Sequence, residues 1–297
     1  MANKDKILIV TDTCCDIPFG LAKELGLVTL PLHFHFEGDP YDYKDDLNHS
    51  EMPIKVFYNR LRNKEIAQTS QGSTQEIYDI LEPYAKDGYK IICIIFSAAL
   101  SGMINNVNIV KNMLREKYPK LVMNPIDSKC CSLGEGLLVY STVKQKENGA
   151  TYEKLINFIE ATKTHVHHYF TVGDLGVLKR GGRLSASKAF IANLLNLKPV
   201  LHVDNLGRLV PLCKKFGRKQ SLIQIVQYYK DNCDHNDVIF ISHGDCYDDA
   251  KFVKDKILEV NKDNKVFIIN EVGPVIGAHS GPETIALFFI SSKDRLN

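Results

Sequence analysis

The sequence has almost no excess of charge, and it has no apolar run long enough to cross a bilayer. Its 37 basic and 35 acidic residues leave a formal net charge of +2, so charge gives no reason to expect nucleic acid or an anionic membrane as a partner. No stretch approaches the roughly eighteen apolar residues of a spanning helix. The N-terminus, MANKDKILIV, lacks the apolar segment and cleavage site of a secretory signal. We therefore expect a cytoplasmic protein.

The sequence also lacks a CxxC motif, which makes a zinc site improbable. Its eight cysteines form two adjacent pairs and four scattered singles, which is not a disulfide framework in a chain of 297 residues. We expect reduced and mostly buried thiols. A redox role for the pairs Cys14–Cys15 and Cys130–Cys131 stays open.

Common enzyme signatures are missing as well. The glycine-rich stretch 176–182 lacks the lysine of a phosphate-binding loop, and the glycines of 134–136 lack the third glycine of a dinucleotide fingerprint. The stretch 277–281 carries His279 where a nucleophile elbow has serine. A lipid-active serine hydrolase using Ser101, His279 and an aspartate remains an alternative, because such triads are defined by geometry and not by order.

Hydrophobic residues make up 44% of the chain and charged residues 24%, as is typical of a globular protein. The first half alternates apolar and amphipathic stretches, which predicts strands over 6–13, 27–36, 89–96 and 121–126 with helices over 18–25, 73–86, 102–117 and 133–145. This order predicts a parallel, doubly wound sheet.

The second half predicts strands over 165–172, 200–203, 209–212, 237–242, 266–270 and 285–290, with helices over 186–195, 219–231 and 248–260. The turn at 204–207 (DNLG) suits a hairpin, so antiparallel pairing enters here. We therefore predict an α/β protein with an N-terminal domain over 1–165 and a mixed α/β domain over 166–297.

Small hydroxyl residues and glycines follow the predicted strands of the first half. Sheets of this kind bind ligands beyond the carboxyl ends of their strands, and free N–H groups at helix starts favour an anion. Ser101 and Gly102 open one predicted helix, and Thr69 lies in a predicted loop ahead of another. Together they are suited to a carboxylate or a phosphate. The alternative is that the hydroxyls are simply helix N-caps.

Taken as a set, the motifs of the chain resemble those of the DegV family. They are TDTCCDIP at 11–18, TSQGS at 69–73, FSAALSG at 96–102, IDS with SLGEG over 126–136, LKRGGRLS at 178–185 and EVGPVIGAHSGPE at 271–283. Each motif is weak alone, but six in this order at reasonable spacings are specific, and they run over essentially the whole chain.

The resemblance implies a two-domain protein that binds a long-chain fatty acid in a tunnel between its domains, as do the FakB subunits of bacterial fatty acid kinase. It implies that Thr69 and Ser101 bind the carboxylate, with a backbone N–H at Gly102 and the His279 side chain nearby. It also implies that Arg183 and Arg218 take part in the encounter with a separate ATP-dependent kinase.

A binding subunit of this kind has no catalytic residues, metal or cofactor of its own. The expected partners are the fatty acid, the kinase subunit that forms the acyl phosphate and, transiently, a membrane, with phospholipid metabolism as the destination of the acyl group. A lipid-sensing regulator that works without a kinase is a further alternative.

Three positions depart from the usual family pattern. Gly72 stands where proline is usual and is expected to loosen its loop, and residues 103–105 lack the Thr-Tyr pair that often follows the serine motif. Glu283 replaces a glycine near a site meant for an acid, which matters only if its side chain points inward.

Overall fold

The computed structural model describes residues 6–185, 190, 196–234, 238–262 and 266–296. Its strands are β1 Ile7–Asp12, β2 Val28–Leu30, β3 His33–Phe36, β4 Tyr43–Lys44, β5 Ala67–Ser70, β6 Lys90–Ile95, β7 Met123–Asp127, β8 Val166–Thr171, β9 Leu197–Val203, β10 Leu209–Phe216, β11 Val238–His243, β12 Val266–Glu271 and β13 Ile285–Ile290. Its helices are α1 Phe19–Glu24, α2 Ile54–Arg62, α3 Thr74–Lys86, α4 Met103–Lys117, α5 Leu133–Glu147, α6 Tyr152–Thr162, α7 Leu175–Arg180, α8 Arg218–Asn232, α9 Tyr247–Val260 and α10 Pro274–Ser280. The predicted helix over 186–195 lies, apart from Phe190, outside the described residues.

The first half forms a parallel sheet of four strands in the order β2-β1-β6-β7, as the alternation of strands and helices predicts. Strands β1 and β6 are buried along almost their whole length, because helices cover a parallel sheet and its strands are then apolar at every position. The predicted α/β class with a parallel N-terminal sheet is confirmed.

The predicted strand over 27–36 is wrong in one respect, because it is two strands in two different sheets. Strand β2 pairs in parallel with β1, whereas β3 pairs antiparallel with β4 and β5 in a separate sheet of three strands. Pro31 lies at the break, and proline cannot donate the N–H that would continue the ladder. Beyond it the burial alternates, with Phe34 and Phe36 buried and the two histidines half-buried, which is typical of an antiparallel strand with one covered face.

The second half forms a mixed sheet of six strands in the order β10-β9-β8-β13-β11-β12. The predicted hairpin around 204–207 is confirmed, and its antiparallel strands β9 and β10 are longer than predicted, with a bulge between Pro211 and Cys213. The domain boundary at residue 165 stays a prediction; strand β8 begins at Val166.

Four short helices have no counterpart in the prediction: α2, α6, α7 and α10. Their starts carry local signals that a pattern of apolar residues alone does not reveal. The side chains of Thr151 and Asp174 accept hydrogen bonds from backbone N–H groups at the starts of α6 and α7, and Pro274 stands in the first turn of α10.

Helix α5 is the central helix of the structure. It packs against strands β1 and β6 of the parallel sheet and against β8, β11 and β13 of the mixed sheet. Nine of its fifteen residues are buried, as expected for a helix covered on several sides. Helix α5 therefore brings the two sheets together.

Among the described residues, no helix combines the length and the apolar character that a membrane crossing requires.

Candidate ligand-binding cavity

A cavity of about 340 Å³ lies where the loops after the parallel sheet face the mixed sheet. This volume falls within the range of small-molecule sites, which is about 300–1,000 Å³. Most of its wall is apolar, and the apolar lining residues are Leu32, Phe96, Leu100, Phe170, Leu178, Leu209, Val272, Val275, Ile276, Ala286 and Phe288. The wall is thus suited to a hydrocarbon chain.

The four residues predicted to bind an acid group all line this one cavity: Thr69, Ser101, Gly102 and His279. Thr69 does not lie in a loop as predicted, because it belongs to strand β5, where it is paired with Phe34. Its Oγ1 lies 2.8 Å from Nε2 of His279. The structure therefore joins two residues that are 210 positions apart in the chain.

Ser101 combines the two roles that the sequence leaves open. Its Oγ accepts a hydrogen bond of 3.2 Å from the backbone N–H of Met103, so it caps the start of α4. It also lines the cavity, and its hydroxyl proton remains available to a ligand because the cap uses only a lone pair. Gly102 is the N-cap residue of α4. A Cβ there would lie 2.8 Å from Oε1 of Gln71, so a larger residue would displace the end of the Gln71 side chain.

His279 is a neutral histidine with one ring nitrogen unused. It stands near the end of α10, and its Nδ1 is buried without a hydrogen-bond partner among the described residues. Burial, and then the positive charge of Arg183, lower the pKa of His279 to about 4. A Cβ at Gly181 would lie 2.4 Å from this Nδ1, so the ring is seated against a position where only glycine fits.

The two arginines of the prediction are not brought together. Arg183 lines the cavity, donates to the carbonyl oxygens of Leu100 and Gly181, and so places a cation at the end that holds Thr69 and Ser101. Arg218 lies outside the cavity lining and is paired with Asp249 at 2.8 Å. The motifs around Thr69 and Ser101 contain no basic residue, so these motifs do not predict that Arg183 joins them.

A serine-hydrolase triad is not assembled among the described residues. The hydrogen bond of His279 Nε2 goes to Thr69, its Nδ1 has no carboxylate partner, and Ser101 Oγ is bonded to a backbone N–H. Such a triad needs the histidine between the serine and the acid. The geometry therefore gives the hydrolase alternative no support.

Two of the departures from the family pattern have clear positions. The side chain of Glu283 lies beside Gly173 and does not line the cavity. Its φ of 60° is in the left-handed region, where glycine is the favoured residue. The carbonyl of Gly72 accepts a hydrogen bond from Nδ2 of Asn106, and a Cβ at Gly72 would lie 2.5 Å from the carbonyl oxygen of Pro31. This loop is therefore held on both sides.

All eight cysteines are free, and Cys14, Cys15, Cys93 and Cys130 are buried. Cys14 and Cys131 line the cavity. Burial raises the pKa of both thiols above the ordinary range, so they are uncharged at neutral pH. A redox role for either adjacent pair stays a prediction. Among the described residues there is no group of histidine, cysteine and acidic side chains that would hold a metal ion.

The burial of four carboxyl groups was not predicted from the sequence: Asp12, Asp16, Asp45 and Glu135. Burial raises the pKa of Asp12 and of Asp16 to about 7, and it raises the pKa of the other two carboxyls strongly. Asp45 belongs to an acidic stretch that the sequence presents as a solvated loop. A buried acid gives no signal in a local pattern, because its burial depends on distant segments.

Asp16 joins segments from both halves of the chain. Its Oδ2 accepts a hydrogen bond of 2.5 Å from the hydroxyl of Ser132, and its Oδ1 accepts one of 3.0 Å from the backbone N–H of Gly273. Ser132 Oγ is also 2.9 Å from Ser242 Oγ on β11. This Asp16–Ser132–Ser242 chain reaches the cavity, since both serines line it.

Comparisons with a family model, with related sequences and with solved structures all point to the same family. A family model described as "Uncharacterised protein, DegV family" matches residues 6–292. A DegV domain-containing protein of Clostridium perfringens is 37% identical, over 96% of this chain and 97% of its own length. A solved structure described as fatty acid binding of a DegV family protein from Thermus thermophilus is similar at a TM-score of 0.86 and 25% identity, covering 96% of this chain and 99% of that one. DegV of Bacillus subtilis, described as a fatty acid binding protein, is similar at 0.81 and 27%, covering 97% and 100%.

Proposed function

The chain belongs to the DegV family, and on this basis we propose that it binds a long-chain fatty acid, with the carboxyl group at Thr69 and Ser101. The observation that carries the proposal is a single cavity with an apolar wall and one end that holds two hydroxyls, a neutral histidine and an arginine. Relatives that cover almost the whole chain are described as fatty-acid-binding proteins.

The alkyl chain supplies most of the binding free energy. Burying about fifteen methylenes at ~0.8 kcal/mol each gives on the order of 12 kcal/mol before the loss of motion is subtracted. A hydrogen bond to a charged acceptor adds about 1.5–3 kcal/mol. The polar end therefore fixes the orientation of the acid more than its affinity.

The charge at the polar end favours an ionised acid. His279 is neutral above a pH of about 4, so Arg183 is the cation of the cavity lining among the described residues. The hydroxyl protons of Thr69 and Ser101 and the positive side chain of Arg183 all complement a carboxylate. They also complement a phosphoryl group, so the acid and its acyl phosphate are both compatible with this end of the cavity.

Lipid analysis tests the core of the proposal. We expect mass spectrometry of the purified protein to find a fatty acid with about 14–18 carbons, because a mostly apolar cavity of this size retains such a ligand during purification. Delipidated protein should take up hexadecanoic acid to one equivalent. A clean preparation that contains no fatty acid and takes none up would contradict the proposal.

We further propose that the protein presents the acid to a separate ATP-dependent kinase as a binding subunit without catalytic residues of its own. The supporting features are the family resemblance and the position of Arg183 at the carboxyl end of the cavity. Arg218 does not line the cavity, and its guanidinium is paired with Asp249. Arg218 is thus suited to contact a partner protein rather than the acid.

Reconstitution with the host's fatty acid kinase and ATP tests this second part. We expect Arg218→Ala to lower acyl phosphate formation by about tenfold or more while the Kd for hexadecanoic acid stays unchanged, since a charged contact between proteins contributes about 1.4 kcal/mol or more. Asp249→Ala is the matched control, because it breaks the same ion pair and leaves Arg218 in place. An equal loss of activity in both variants would mean that the Arg218–Asp249 ion pair, and not a contact of Arg218 with the kinase, is what matters. If the wild type forms no acyl phosphate, the protein is a fatty-acid binder that does not serve this kinase.

A further inference from the structure

The apolar wall of the cavity carries a second polar position, at Ser242. Ser242 lies on β11 opposite Ala286 of β13, which in turn is opposite Phe170 of β8. All three residues line the cavity. Ser242 thus lies beside an alanine and a phenylalanine of the wall, with Ser132 as its polar neighbour.

Ser242 is connected to the end of α10 opposite His279. The Asp16–Ser132–Ser242 chain is attached to Gly273, just before α10, whereas His279 stands near the other end of that helix. Six residues of helix at 1.5 Å each place Gly273 and His279 roughly 9 Å apart. At roughly 1.25 Å per methylene, which follows from a C–C bond of about 1.52 Å, this spacing corresponds to about seven carbons, close to the middle of an eighteen-carbon acid.

The hydrogen bonds of Ser242 leave part of its capacity unused. Among the described residues its Oγ has one partner, Ser132 Oγ. If Asp16 is ionised, Ser132 donates to Asp16 and Ser242 donates to Ser132, so the lone pairs of Ser242 remain free. If Asp16 is protonated, the direction reverses and the Ser242 proton remains free. In either case an unused hydrogen-bonding atom is buried at the cavity wall, which is unfavourable beside a plain alkyl chain.

Two other polar residues of the wall help to interpret Ser242. Both ring nitrogens of His168 have hydrogen-bond partners, since Nδ1 lies 2.7 Å from the carbonyl oxygen of Val166 and Nε2 accepts from the backbone N–H of Cys131. Ser280 is 4% exposed, and its Oγ is buried without a partner among the described residues. Ser280 is therefore a further serine of the wall, and its hydroxyl has no partner among the described residues.

We propose that the cavity selects an acyl chain with a hydroxyl group near its middle, bound by Ser242. The proposal rests on the proposed fatty-acid function and specifies its substrate class. A hydroxyl is both donor and acceptor, so it complements Ser242 in either proton arrangement, whereas a keto group complements only one. The hydroxyl also satisfies a polar atom of the wall that a methylene leaves unpaired.

Competition binding to the full-length protein tests the proposal. We expect 10-hydroxyoctadecanoic acid to bind about tenfold more tightly than octadecanoic acid, and 2-hydroxyoctadecanoic acid to show no such gain. Ser242→Ala should abolish the preference and leave the Kd for octadecanoic acid within about threefold, because it removes the polar atom that the plain chain leaves unpaired. Ser242→Thr keeps a hydroxyl and should retain part of the preference.

The outcomes separate this proposal from the proposed function. Equal or tighter binding of octadecanoic acid by the wild type overturns the hydroxyl preference and leaves fatty-acid binding intact. A preference that survives Ser242→Ala overturns the assignment to this residue. Failure of every acid to bind contradicts the proposed function itself.

Discussion

Replacing Thr69 with valine and Ser101 with alanine together is expected to weaken the binding of hexadecanoic acid by about 10²-fold or more. Each hydroxyl donates one hydrogen bond to a charged acceptor in the proposed complex, and two such bonds contribute about 3–6 kcal/mol. Valine has nearly the shape of threonine and suits strand β5, so the loss reports on the hydroxyl and not on the strand. Isothermal titration of delipidated protein gives the Kd.

The alcohol with the same chain is the control ligand for this variant. Hexadecanol has no charge for the hydroxyls to bind, so its Kd should change by less than about threefold. Lys179→Ala removes an exposed positive charge from α7 and should leave both ligands unaffected. If wild-type protein binds the acid and the alcohol equally well, the carboxyl group is not recognised at Thr69 and Ser101.

The second large effect concerns stability, and we expect Asp16→Asn to stabilise the protein increasingly as the pH rises from 4 to 7. Burial raises the pKa of Asp16 from 3.8 to about 7, so the folded chain holds a proton that the unfolded chain releases in this range. Stability of the wild type therefore falls as the pH rises through this window and levels off above it. Asparagine keeps an acceptor for the Gly273 N–H and a donor for Ser132, so it resembles the protonated acid without its titration.

The free energy of unfolding of Asp16→Asn relative to the wild type is expected to rise by about 4 kcal/mol between pH 4 and pH 8, since one pKa unit corresponds to about 1.4 kcal/mol. Urea unfolding of both proteins across this pH range measures it. The buried histidines also make the protein less stable in acid, but their contribution to the free energy of unfolding is equal in both proteins and cancels in the difference. A difference between the two proteins that does not change with pH would show that Asp16 titrates normally in the folded state.

Asp46→Asn provides a control of opposite sign. The pKa of Asp46 is lowered in spite of its partial burial, because it accepts hydrogen bonds from Ser50 and Asn48. An acid of this kind stabilises the fold above its ordinary pKa and loses that contribution as the pH falls. Asp46→Asn should therefore destabilise the protein at neutral pH, whereas Asp16→Asn should stabilise it.

Local sequence patterns correctly predicted those parts of the fold in which the burial of a segment follows from its own residues. The continuous apolar run of β6 predicted a covered parallel strand, and the turn at 204–207 predicted an antiparallel hairpin. The break at Pro31 was not predicted, because the stretch 27–36 has the pattern of one strand. Which sheet each side of the break joins depends on β5, more than thirty residues later in the chain.

The candidate site shows the same division. Thr69 and Ser101 were found because each has a strong local context, and family motifs connected them. Arg183 was predicted for the encounter with a kinase and not for the acid-binding end, and the burial of Asp16 was not predicted, because these positions depend on contacts 83 and 116 residues away in sequence. An acid in a turn predicts exposure unless the partners that cover it are known.

The pairing of β5 with β3 has a consequence for how this cavity changes during evolution. Side chains alternate across a strand, so a shift of the ladder by one residue would replace Thr69 with Gln68 or Ser70 on the face toward His279. The stretch between the two strands contains β4, which pairs with β3, and helix α2, whose Phe57 and Tyr58 are buried. Selection on the acid-binding end therefore acts on strand register, and changes in length are tolerated best in the turns between these elements.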